Sequence, residues 1–147
     1  MNKLDLVKEA LYHNLESKCF GYKKKNGYDH LFGVSSLCSY LAVKRNLDIE
    51  LAAIIGMLHD YSTFITGTSF DHAYRSSTMV KELLISLNFE EHDINIIVEA
   101  IKNHSDKNKV HDEYSELIKD ADVLHQYFTQ KDAIFSDDYN HRLIKLL

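Results

Sequence analysis

No proline occurs among the 147 residues of this chain, and only five residues are glycine. Proline removes a backbone donor and clashes with the preceding turn, and glycine loosens a helix interior. A chain nearly free of both has few points at which a helix must stop. Apolar residues recur at helical spacing to match, as in Leu4, Val7, Leu11 and Leu15, in Leu37 and Leu41, and in Leu83, Leu84 and Leu87. The pattern predicts an all-α bundle of about six or seven helices, at about 3–18, 30–45, 49–60, 71–87, 91–104, 113–128 and 138–146. Asp29, Asp48, Asp71 and Asp112 stand where first-turn N–H groups need acceptors and are expected as N-caps. The Lys-rich stretch Gly21 to Tyr28 and the Ser/Thr/Gly stretch Ser62 to Ser69 are expected as loops. There is no internal repeat and no low-complexity segment, so residues 1–147 are expected to form one helical domain.

Composition narrows the function classes. Hydrophobic residues make up 45% of the chain and charged residues 27%, the balance of a soluble globular protein rather than a disordered one. No apolar run approaches the roughly 20 residues of a membrane span, and the segment MNKLDLVKEA carries charges where a signal peptide needs an apolar run, so a cytoplasmic location is expected. A formal charge of -5 argues against a nucleic-acid polymer as partner, and no membrane partner is expected. Cys19 and Cys38 are expected as free thiols. The apolar segment Leu143 to Leu147 suits packing on this chain's own core or on a second copy, which leaves a homodimer open.

The chain also holds nine histidines, and several fall where helices change from apolar to polar. Ala52 to Leu58 is an apolar helix that ends in His59 and Asp60. Burying such a pair without partners costs on the order of 1–3 kcal/mol or more per group, so a metal, a hydrogen-bond network or solvent must meet them. His30 is expected to begin one helix and His72 another, while His104 closes a third and Asp120 and Asp122 interrupt the apolar run Leu117 to Leu124. If these ends converge in a bundle, imidazole nitrogens and carboxylate oxygens together suit Mn, Fe, Co, Zn or Mg better than thiolate-loving metals.

The order His30, His59-Asp60, Asp122 resembles the H…HD…D signature of the HD-domain phosphohydrolase superfamily, across residues 30 to 125. His72-Ala73 with Ser76-Ser77, Ala100 to Ser105, and Lys119 to His125 are similar to segments of its small bacterial nucleotide-hydrolase members. The chain departs from that pattern at the basic residues often found after the first His and after the HD pair, and at Val123, which replaces a basic residue.

The resemblance implies an all-α HD-type fold and one or two divalent ions. His30, His59, Asp60 and Asp122 are then metal ligands, with Asp120 an outer partner of the site. His72 and His104 either hold a second ion bridged through Asp60 or act on the phosphate and the leaving oxygen, so Asp60, His72 and His104 are the candidate catalytic residues. Arg75 and Lys107 are candidate substrate contacts, although loop lysines are more often simply solvated. His125 suits either a place behind the ligands or helix packing, and Tyr61 either a base-stacking or a core role. His13, His92, His111 and His141 are expected at the surface. The implied activity is phosphohydrolysis of a small nucleotide or related phosphate ester by metal-activated water. The alternative is a metal-containing module that binds a nucleotide or signal without turnover.

Overall fold

The computed structural model describes residues 1–147 and contains eight helices and no strand. They are α1 (Lys3–Lys18), α2 (Gly21–Arg45), α3 (Ile49–Leu58), α4 (Tyr61–Thr66), α5 (His72–Ser86), α6 (Glu91–Asn103), α7 (Glu113–Thr129) and α8 (Asp137–Leu146). The chain is all-α as expected, with one helix beyond the expected count. The Ser62–Ser69 loop is in part the short α4, which closes at Gly67 in the left-handed conformation (φ 83°).

The larger correction concerns Gly21 to Tyr28, which is not a loop but the opening of a 25-residue helix. Lysine is a good helix former, and Gly27, Leu31 and Val34 of α2 are buried, so one apolar stripe runs on through the polar stretch. His30 therefore lies inside α2 rather than at its start, and Asp29 caps nothing. Asp71 sits in the left-handed region (φ 47°) and makes no cap bond with its side chain. Asp48 and Asp112 do cap: the first accepts from Leu51 N–H and the second from the N–H groups of Tyr114 and Ser115.

Helix α3 is the centre of the fold. Every residue from Leu51 to Leu58 is buried, and the helix packs against α1, α2, α6 and α7. A helix apolar all round is stable only when enclosed in this way. Gly56 sets how close α2 comes, since a Cβ there would lie 2.6 Å from the Ser35 Cα. The contact is locked by Ser35 Oγ, which donates to the Ala53 carbonyl at 2.8 Å. Burying Ile54 or Ile55 fully contributes about 1.5–3 kcal/mol each.

Helix α8 packs back on the chain itself. Leu143 is buried, and Arg142 donates to the carbonyls of Lys107 (3.0 Å) and Lys109 (3.1 Å) and to Glu116 (3.1 Å) and Asp120 (3.0 Å). The C-terminal helix thus pins the segment between α6 and α7. Cys19 and Cys38 are free thiols and buried, and burial pushes the Cys38 thiol up. No helix is long and apolar enough to cross a membrane.

Candidate metal centre

Two of the site's histidines are built alike. His59 follows α3 and His104 follows α6, each as the C-cap. The Nδ1 of His59 donates to the Gly56 carbonyl at 2.7 Å, and that of His104 to the Ile101 carbonyl at 2.6 Å. Each imidazole thereby bonds a carbonyl of the last helical turn. The same bond fixes the tautomer and aims Nε2 outward from the helix end, as a metal-ligating histidine requires.

The two Nε2 atoms converge on Asp60, that of His59 nearest Oδ2 and that of His104 nearest Oδ1. Asp60 Oδ2 lies 3.0 Å from His30 Nε2 and 3.3 Å from His59 Nε2. Its Oδ1 lies 3.0 Å from His104 Nε2 and 3.6 Å from His72 Nε2. Asp122 joins the first side, with Oδ1 at 3.5 Å from His30 Nε2 and 3.6 Å from His59 Nε2. Donor atoms bound to one first-row ion at about 2.0–2.2 Å stand roughly 3.0–3.5 Å apart in tetrahedral or octahedral arrangement. The spacings here match that figure. Two groups of donors close enough to share an ion result: His30, His59 and Asp122, and His59, Asp60 and His104. An imidazole and carboxylate set of this kind fits a first-row divalent ion.

The electrostatics agree. Burial works against charge at His59, but the carboxylates of Asp60 and Asp122 outweigh it and raise its pKa to about 10. Burial likewise opposes ionisation of Asp60 and Asp122. The imidazoles of His59, His104 and His30 nevertheless hold Asp60 well below the usual carboxylate range, and the Lys107 ammonium with His59 does the same for Asp122. Burial lowers the pKa of His104. The two buried carboxylates thus hold a positive charge, the His59 proton, in the space between the imidazoles.

Lys107, one of the two expected substrate contacts, is engaged within the protein. The residue is 8% exposed, and its ammonium is held by Asp122 Oδ2 (2.9 Å) and the His104 carbonyl (2.5 Å), below the Tyr139 ring. It holds one oxygen of Asp122 so that the other faces the histidines. Arg75, the second expected substrate contact, turns to the Phe70 carbonyl at 3.5 Å and pairs with no carboxylate. Asp120 points away from the site to Arg45 (2.7 Å) and Arg142 (3.0 Å). Two residues along a helix is a turn of about 200°, so Asp120 and Asp122 cannot share a face.

His125, three residues beyond Asp122, does share its face. Its Nδ1 lies 3.2 Å from His30 Nδ1. Burial, with His30 close by, lowers the pKa of His125, and the neutral ring can accept the His30 proton and leave His30 Nε2 with a free lone pair. Gly33 makes room for this, because a Cβ there would lie 2.4 Å from His125 Nε2. A glycine inside a helix costs roughly 0.5–1 kcal/mol against alanine, and one placed a turn after His30 was the signal in the sequence for a ring packed against that face.

The other readings sort simply. Tyr61 is core, buried and accepting from Asn14 Nδ2 at 2.6 Å. His13, His92 and His141 are exposed. His111 is not a plain surface residue, since its Nδ1 accepts from the buried Lys119 ammonium at 2.7 Å.

Comparison with known proteins adds one finding: the family model described as the HD domain matches residues 27–127, more than half of the chain. No curated protein and no solved structure matches.

Proposed function

The chain belongs to the HD-domain family, within a superfamily of metal-dependent phosphohydrolases, and from that premise we propose that it hydrolyses a small nucleotide or related phosphate ester. The observation that carries this reading is the division of Asp60, whose Oδ2 lies nearest His30 and His59 and whose Oδ1 lies nearest His104 and His72. A carboxylate so divided could serve as a ligand to an ion on each side, with His30, His59 and Asp122 on one and His104 and His72 on the other. When bound, such ions supply polarisation of a phosphoryl oxygen and a nucleophile made from water at neutral pH.

His30, His59, Asp60 and Asp122 are assigned as ligands on one side, and Asp60 with His104 and His72 on the other. His104 is 1% exposed and its Nδ1 is committed to the Ile101 carbonyl, which leaves Nε2, beside Asp60 Oδ1, as the atom that would bind an ion. His72 has a side chain 33% exposed and stands at 3.6 Å from Asp60, the loosest distance on that side. It is the group with access to the leaving oxygen, and it either completes the second ligand set or delivers a proton there. Asp60 stays ionised through this chemistry because its imidazole neighbours hold its pKa down.

Metal analysis of protein purified without chelators, followed by a nucleotide and phosphoester panel with Mn, Co and Mg, tests the reading. One or two ions per chain and phosphate release are expected. Metal uptake and nucleotide binding without turnover would instead assign the non-catalytic module, and protein that takes up no first-row ion would sink both.

A further inference from the structure

The three consecutive lysines at the head of α2 differ in what they meet. Lys24 pairs with Glu16 at 2.7 Å, and Lys25 lies over the Tyr22 ring at 5.4 Å. Lys23 pairs with no carboxylate, although it is half-buried. Its ammonium reaches toward the turn that ends α4, 3.9 Å from where a side chain on Gly67 would begin. Lys23 and His30 are seven residues apart in α2, two turns along one face.

Both line the same groove, of about 880 Å³, together with Asn26, Asp29, Phe64 and Gln130. That volume lies within the range of sites that enclose a small ligand. One end of the groove meets the metal-ligand cluster through His30. Elsewhere it presents a single unpaired cation, the Phe64 ring, one carboxylate, amides, the Thr129 hydroxyl and the His125 ring that backs His30. A simple alkyl phosphate has no use for these groups. A bare polyphosphate would be repelled by Asp29. A nucleotide has a partner for each: a phosphate for Lys23, a flat ring for Phe64, and hydroxyl and amino groups for Asp29, Asn26, Thr129 and Gln130, while His125 stays with His30.

Resting on the phosphohydrolase reading above, we propose that this groove holds the part of the substrate beyond the reacting phosphate and that Lys23 binds a phosphate not under attack, so that the substrate is a nucleotide carrying at least two phosphates.

The test compares Lys23→Met with Lys24→Met, which removes the same charge from the same helix outside the groove. With Mn, KM and kcat are measured for ATP, GTP and p-nitrophenyl phosphate, and ATP and GTP binding to the metal-free proteins is measured by calorimetry. For Lys23→Met, KM for the triphosphates is expected to rise about tenfold or more, with kcat changing much less and the effect on p-nitrophenyl phosphate at least several-fold smaller. Lys24→Met is expected to behave as the unaltered protein throughout. Equal effects on all three substrates, no effect on any, or the same effect from Lys24→Met would overturn the proposal. If the unaltered protein turns over none of the three, the hydrolase reading fails separately and calorimetry decides: weakening of triphosphate binding by Lys23→Met alone supports the groove assignment, and no binding, or binding indifferent to Lys23, overturns it.

Discussion

The two sides of Asp60 are built to different standards. On the Oδ2 side, His30, His59 and Asp122 are each held by a further group: His30 by His125, His59 by the Gly56 carbonyl and Asp122 by Lys107. On the Oδ1 side only His104 is held in this way, by the Ile101 carbonyl, while the ring nitrogen of His72 stands 3.6 Å from Asp60 on a side chain one-third exposed. Groups that fix a ligand's orientation raise metal affinity. The contrast teaches that a half whose ligands are each held in place suits a resident ion, while the more loosely held half suits whatever must exchange, whether a second ion or the phosphate.

The severest way to break this contrast is to remove the residue both sides share. Asp60→Asn is expected to lower kcat/KM on the order of a thousandfold or more and to strip metal from both sides, read by phosphate release and by metal content per chain. His72→Ala should instead spare the tighter ion and lose only a weaker one, so titration with Mn should change in its second phase alone.

Lys107→Met attacks the more firmly held half through its counter-charge. Lys107 and Asp122 are both buried, and breaking a buried pair from one side costs about 3–5 kcal/mol. The metal-free variant should melt about 10 °C lower. Added Mn should restore more stability to the variant than to the unaltered protein, because a divalent ion supplies the charge that Asp122 has lost. Equal restoration in the two proteins would show that Lys107 does not serve the Asp122 side.

His125 sharpens the comparison at smaller amplitude. His125→Phe, or Gly33→Ala acting by displacing the same ring, should weaken the tighter ion about 10–100-fold and leave the weaker one nearly unchanged. Cobalt absorption spectra of the two variants should shift alike if both act on His30, and fluorescence melting checks that neither has simply lost its fold.

The gentlest probe is pH. The folded-state pKa of His59 in the absence of metal is about 10, above its ordinary value near 6.5. The protonated ring therefore adds stability that is fully present below about pH 6.5 and is lost as pH rises through the folded value. A bound ion takes the place of that proton. Metal binding at pH 8 should release about one proton, read by calorimetry in buffers of different ionisation enthalpy, and the stability gained on adding metal should grow from pH 7 toward pH 10.

Much of this site was legible as a pattern. His59-Asp60 after an apolar helix, His104 after another and Asp122 inside a third are local events, visible because helical spacing and buried polarity leave marks along the chain. The loop expected at Gly21 to Tyr28 misread polarity as irregularity, when a lysine-rich helix start needs only one buried stripe to be stable. Lys107 showed the same limit from the other direction. Its neighbourhood in the chain is polar, but Arg142 of α8 pulls the carbonyls of Lys107 and Lys109 inward from 35 and 33 residues away.

What the sequence determined by itself was the material of the molecule: uninterrupted helices, an enclosed α3, and the order of imidazoles and carboxylates that marks the family. These rest on interactions between residues a few positions apart, which the chain carries wherever it goes. The tertiary structure alone decided which oxygen of Asp60 faces which histidine, that Lys107 pairs with Asp122, that Gly33 admits His125 behind His30, and that Lys23 lacks the partners Lys24 and Lys25 have. Each of these depends on the distance between helices far apart in the chain. That distance is set by close packing, such as the contact of Gly56 with Ser35, for which no single stretch of sequence carries the information.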